Sequence, residues 1–287
     1  MNILINGLSL GAIYALIALG YTMVYGIAKM LNFAHGDIIM VGAYAIYTAM
    51  TFLGHPLLAC GLAVLVCPLL GILPERVAYR PLRGASPIAV LITAIGVSYL
   101  LQSLAQLIFG SRARTFTLLN LGTLTLFGSE VQVTSLLTLG CCLLLMLGLN
   151  LFVEKTRIGC AMRAVSEDRG AAQLMGIPCD RIIALTFAIG SALAACASAF
   201  YLMRITQVLP TLGSLPGIKA FTAAVIGGIG SLPGAMIGGL FLGLVEQGCA
   251  AVPALAPFSS SIEFGLLVLI LLLRPTGLLG KDRREKV

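Results

Sequence analysis

The chain has 287 residues, of which 59% are hydrophobic and only 10% charged. An ordinary soluble domain carries about a quarter charged residues, so that class is excluded; several apolar runs instead reach the roughly 17–25 residues that a bilayer-crossing helix needs. The net charge of +7 makes no case for nucleic acid, because Lys and Arg sit in short loops beside apolar spans and no binding motif accompanies them.

The opening MNILINGLSL lacks the basic n-region of a cleaved signal peptide and reads as the start of span 1, about Ile3 to Ile27. Gly7 and Gly11 in this span have the small-xxx-small spacing of close helix packing. LNFAHGD (31–37) follows, then span 2 from Ile38 to Leu53 and a turn at Gly54-His55-Pro56. Span 3 covers Leu57 to Leu73, and a loop with Arg76, Arg80 and Arg83 leads to span 4, Ile88 to Phe109. Residues 110–133 are polar, threonine-rich and β-like, an extramembrane loop able to form a small hairpin.

Span 5, Thr134 to Val153, enters the loop 154–181, which holds 9 of the 29 charged residues. Span 6 runs from Ile182 to Met203, and a loop with Pro210 and Pro216 follows. The apolar run Ala220 to Val252 is too long for one span and is interrupted by GGIGSLPG, with Gly227, Gly228, Gly230, Pro233 and Gly234. The last span is about Phe258 to Leu273, before a basic tail.

The loops at 74–87 and 154–181 carry three and five basic residues and, with the tail, are assigned to the cytoplasm. The loop at 110–133 then lies outside. Parity demands an odd number of crossings between loop 205–217 and the tail, so the run at 220–250 is expected to be broken or re-entrant, and buried by its neighbours because irregular backbone cannot face lipid. The expected fold class is all-α: a polytopic helical membrane protein, one transmembrane domain over 1–287, with about eight membrane-embedded segments and a short cytoplasmic helix.

No catalytic constellation is present. Gly280-Lys281 is followed by Asp282, and Pro275 replaces the first glycine of a phosphate-binding loop. The eight cysteines, none in a CxxC pair, read as small apolar fillers of helix interfaces rather than metal ligands or disulfides. In the charged loop, Ser166 can cap a helix from Glu167 to Met175, with Asp168 in its first turn and Gly176 and Pro178 ending it. Ala171, Ala172, Leu174 and Met175 give it apolar surface, flanked by Arg163, Arg169 and Arg181. It is either a solvated connector or a helix that docks into a groove on a soluble protein.

Asn32, His35, Gly36 and Asp37 are embedded polar or turn residues. They either line a path or satisfy backbone groups freed at the span 1–2 break. Glu246 and Glu263 read as interhelix hydrogen-bonders or outer-rim residues. Gly230, Gly234 and Gly238 repeat every four residues, as do Gly239 and Gly243, which suits close packing or a hinge.

NFAHGD (32–37), TRIGCAMRAVSEDRGAAQLMGI (156–177), KAFTAAVIGGIGSLPGAMIGG (219–239) and RPTGLLG (274–280) together resemble the LivH-type permease of branched-chain amino-acid importers. The resemblance spans nearly the whole chain. It implies a bacterial inner-membrane permease subunit of an ABC importer, whose coupling helix meets the ATPase through Arg163, Glu167, Asp168, Arg169, Ala171, Ala172 and Gly176. The implied partners are a LivM-type second permease, two ABC ATPase subunits holding ATP and magnesium, and a periplasmic amino-acid-binding protein. Leucine, isoleucine and valine are the implied substrates, with urea or short amides as the alternative. An ion-coupled secondary transporter or channel acting alone is the reading from another class.

Overall fold

In a computed structural model the described residues are 2–119, 121–126 and 129–280, with the side chains of 126 and 129 excepted. The basic tail beyond Gly280 lies outside them. Among these residues eight helices are long and apolar enough to cross a bilayer.

Helix α1 (Asn2–Ala28) carries no charge and is buried over most of its length among helices from later in the chain. It ends as Lys29 turns left-handed (φ 54°), with its N–H donating to Tyr25 O at 2.9 Å. Helix α2 (His35–Leu53) stops at Gly54, also left-handed at φ 67°. Pro56 opens α3 (Pro56–Pro74), since proline is tolerated in a first turn. A π-helical turn, Glu75–Tyr79, extends α3. Ser86 caps α4 (Pro87–Phe109) by accepting from Ala89 N.

The 110–133 loop forms the expected hairpin: β2 (Thr123–Leu126) pairs antiparallel with β3 (Ser129–Gln132). A shorter bridge joins β1 (Arg114–Thr115) to β4 (Gln207–Val208). Helix α5 (Val133–Lys155) leads to α6 (Arg157–Glu167) and α7 (Arg169–Leu174), then α8 (Cys179–Arg204).

The run after α8 is broken as expected, at shifted bounds. Helix α9 (Ser214–Gly227) begins six residues before Ala220, because Pro216 falls in its first turn, where a missing N–H costs nothing. At about 1.5 Å per residue it is roughly 21 Å long, short of the ~30 Å hydrocarbon core. Gly228 and Gly230 turn the chain at φ 106° and 97°. Ser231 then caps α10 (Leu232–Ala251), accepting from Gly234 N at 3.2 Å. Gly230 therefore lies outside α10 and does not share a helix face with Gly234 and Gly238. A 3-10 turn (Ala256–Phe258) precedes α11 (Ser259–Leu273).

Glycines hold α1 against α10. A Cβ on Gly239 would stand 2.3 Å from Ala15 Cα, and one on Gly243 would stand 2.1 Å from Gly11 N. Backbone contact of this kind is how small residues join membrane helices.

Candidate functional site

Among the described residues, polar side chains gather most densely in the loop between α5 and α8, at the junction of α2 with α9, and in a charged cluster between α9, α10 and α11.

In the loop, Ser166 does not cap the helix. Its hydroxyl donates to Arg163 O at 2.7 Å. Glu167 closes α6, whose Gly159, Met162 and Val165 are buried at helical spacing. The cap is Asp168, extended at φ −150°, with Oδ1 accepting from Gly170 N (2.7 Å) and Ala171 N (3.1 Å). Two oxygen-bearing side chains two residues apart compete for the same role, and the burial of α6 decides for the second.

Helix α7 ends at a left-handed Gly176 (φ 80°), with Ile177 N–H donating to Ala172 O, the closing bond of a glycine-terminated helix. Ala172 faces inward, while Leu174 and Met175 are 91% and 83% exposed. The Arg169 guanidinium donates to Ala28 O at the end of α1. Burial, and secondarily the Arg83 guanidinium, lower the Arg169 pKa, but an arginine so placed remains charged. Behind α7, Arg83 joins buried Glu75 to Asp180, and Arg80 also reaches Asp180. The short helix is thus clamped to the membrane body, with an apolar tip left bare.

At the junction, His35, Gly36 and Asp37 belong to the first turn of α2 rather than to a turn. The His35 ring lies against Gly20, where a Cβ would come within 2.3 Å of Nε2, and meets Tyr21 edge-on at 4.7 Å. Gly20 is eight residues from the end of α1, so α2 starts about 12 Å above that end, at membrane depth. Gly36 packs on Gly213 and Gly217 at the start of α9. Tyr79 hydroxyl donates to Asn32 Oδ1 at 2.7 Å. Gln102 Nε2 donates to Asp37 Oδ1 at 2.9 Å and lies 3.3 Å from Ser214 Oγ. The Asn32 and Asp37 side chains bond to other side chains rather than to backbone freed at the break, one of the two alternatives posed by the sequence. At the other end of α9, Gly227 and Gly234 are in backbone contact, and Gly228 packs on Gly280. Pro233 lies in the first turn of α10.

In the third group, sequence reasoning missed Lys219. Lys219 Nζ lies 2.7 Å from Glu246 Oε1 and 3.2 Å from Glu263 Oε2. Tyr14 hydroxyl donates to Glu246 Oε2 at 2.7 Å, and Ser259 to Glu263 Oε1 at 3.1 Å. Glu246 and Glu263 are interhelix bonders as expected. Charged residues isolated inside apolar runs were the signal that should have been matched to Lys219.

A family model described as the permease component of the branched-chain amino acid transport system matches residues 3–272. The chain is 46% identical to the high-affinity branched-chain amino acid transport system permease protein BraD of Pseudomonas aeruginosa, covering 99% of this chain and 97% of that one. It is 44% identical to LivH of Escherichia coli K12, covering 98% and 96%. A probable LivH of Methanocaldococcus jannaschii is 29% identical over 94% of this chain and 89% of its own. No solved structure matches.

Proposed function

Because this chain belongs to the family of branched-chain amino acid transport system permease components, we propose that it is the LivH-type membrane subunit of an ATP-driven importer. In this reading it forms half of the translocation path for leucine, isoleucine and valine. The machine is completed by a LivM-type permease, two ABC ATPase subunits that bind ATP and magnesium, and a periplasmic binding protein. The membrane is the bacterial inner membrane, with the α6–α7 loop on its cytoplasmic side.

The carrying observation is α7. Two large apolar side chains, Leu174 and Met175, are exposed at the tip of a helix otherwise anchored to the body through Arg169 and Ala28. A soluble partner with a matching groove would take up that tip. Movement of α7 would be transmitted directly to the end of α1, the central helix. ATP-driven closure of the ATPase pair would then switch which side of the membrane the path opens to.

The test is reconstitution with the two ATPases, the second permease and binding protein loaded with leucine, urea or a short amide. ATP hydrolysis stimulated by the leucine-loaded protein supports the reading; stimulation by urea or amide alone reassigns the substrate. Uptake by this chain alone, driven by an ion gradient without ATP, would sink it in favour of a secondary transporter.

A further inference from the structure

We propose that the face of α4 formed by Tyr99, Ser103 and Gln106, together with Leu215 and Ile218 of α9, lines the path of a solute that is polar at one end and aliphatic at the other. This rests on the transport reading above and specifies the surface that the solute would meet.

Residues 99, 103 and 106 are spaced four and three apart, so they share one helix face. All three are exposed. One residue further along, Leu100, Leu104 and Leu107 repeat the same spacing and are exposed on the adjoining face. In the C-terminal half of α4 the exposed surface is thus divided into a polar arc and a leucine arc, while in the N-terminal half Ile88, Ile92 and Ile95 continue the line of the first arc as apolar surface. Lipid suits the second and penalises the first, since hydroxyl and amide groups in hydrocarbon lose their hydrogen bonds.

The depth is set by Gln102, at the edge of the polar arc. It bonds to Asp37 in the first turn of α2 and approaches Ser214, the first residue of α9. Both helices start at membrane depth beside the central helix, which places Gln102 and its neighbour Ser103 there, while Gln106 lies about one turn from the C-terminal end of α4. Among the described residues, no hydrogen bond is made by the side chains of Ser103 and Gln106. Groups in this position need water or a solute as partner. Beyond Ser214, α9 exposes Leu215 and Ile218. Polar groups on one side and branched aliphatic ones on the other suit an amino-acid zwitterion with an apolar side chain.

The test uses the complete importer in proteoliposomes, and a small anionic methanethiosulfonate reagent added to both sides. Tyr99→Cys, Ser103→Cys and Gln106→Cys are compared with Leu100→Cys, Leu104→Cys and Leu107→Cys, over the background labelling of the parent chain. A thiol in contact with water ionises, whereas one in hydrocarbon has its pKa raised by at least a unit. The first set should therefore label about tenfold faster than the second, and modification should block leucine uptake. Equal rates in the two sets, or protection of the polar set in every nucleotide state, would overturn the assignment by showing a lipid-facing or protein-covered surface. Absence of ATP-driven uptake by the parent complex would instead count against the transport reading, because labelling rates are read without transport.

Discussion

Lys219 sets a single ammonium against two carboxylates inside the membrane domain. Glu263 is fully buried and Lys219 nearly so, so removing the cation would leave Glu246 and Glu263 facing each other without their shared counter-charge. Breaking a buried pair from one side costs on the order of 3 kcal/mol. Lys219→Met should therefore lower the melting temperature of the detergent-purified protein, and adding Glu263→Gln should recover most of the loss. An unchanged melting temperature in the single variant would show that the cluster does not hold α9, α10 and α11 together. The same scale explains why this site is hard to read from a sequence. Lys219 and Glu263 are 44 positions apart, and nothing local in either run signals that the two meet. The Gln102–Asp37 contact, 65 positions apart, is hidden for the same reason.

At the scale of elements, local chemistry was the better guide wherever it had no competitor. Gly54 and Pro56 end α2 and begin α3 as their backbone preferences require, and Gly228 and Gly230 break the long apolar run. The short helix of the charged loop shows the opposite case, because Ser166 and Asp168 are both suitable caps and only the buried face of α6 decides between them. Asp168→Ala should remove two backbone partners and weaken α7 by about 1 kcal/mol. The expected readout is reduced ATPase stimulation by loaded binding protein with little change in melting temperature. Leu174→Asn with Met175→Asn should reduce stimulation further, by removing the exposed apolar tip while leaving its anchor intact. Full stimulation in this double variant would exclude the tip as the docking point. The α1–α10 seam gives a parallel contrast. Gly243→Val drives a side chain into Gly11 backbone, and should prevent stable insertion or assembly. Gly148→Val, where no atom lies within 4 Å, should be tolerated by comparison, and equal expression of the two would contradict close packing at the seam.

The whole molecule joins a buried centre to an apolar perimeter. Helices α1 and α8 are surrounded by protein, whereas α3, α4 and α11 present leucine-rich surfaces outward, the distribution expected when lipid is the solvent. Long apolar runs made this class legible, and the odd-crossing requirement led to the broken α9–α10 element because α9 alone is too short to span. What parity could not supply is the tilt and depth that bring the starts of α2 and α9 together at Gly36 and Gly213. The orientation proposed from the basic loops makes a further test possible. The β2–β3 hairpin and helix α6 should lie on opposite sides of the membrane, with Cys160 exposed on α6. In intact spheroplasts an impermeant maleimide should modify Thr123→Cys, placed at the start of the hairpin, without reaching Cys160. After permeabilisation Cys160 should also react. Labelling of Cys160 in sealed cells would invert the molecule, placing α7 on the side without ATP and removing the physical basis for its contact with an ATPase.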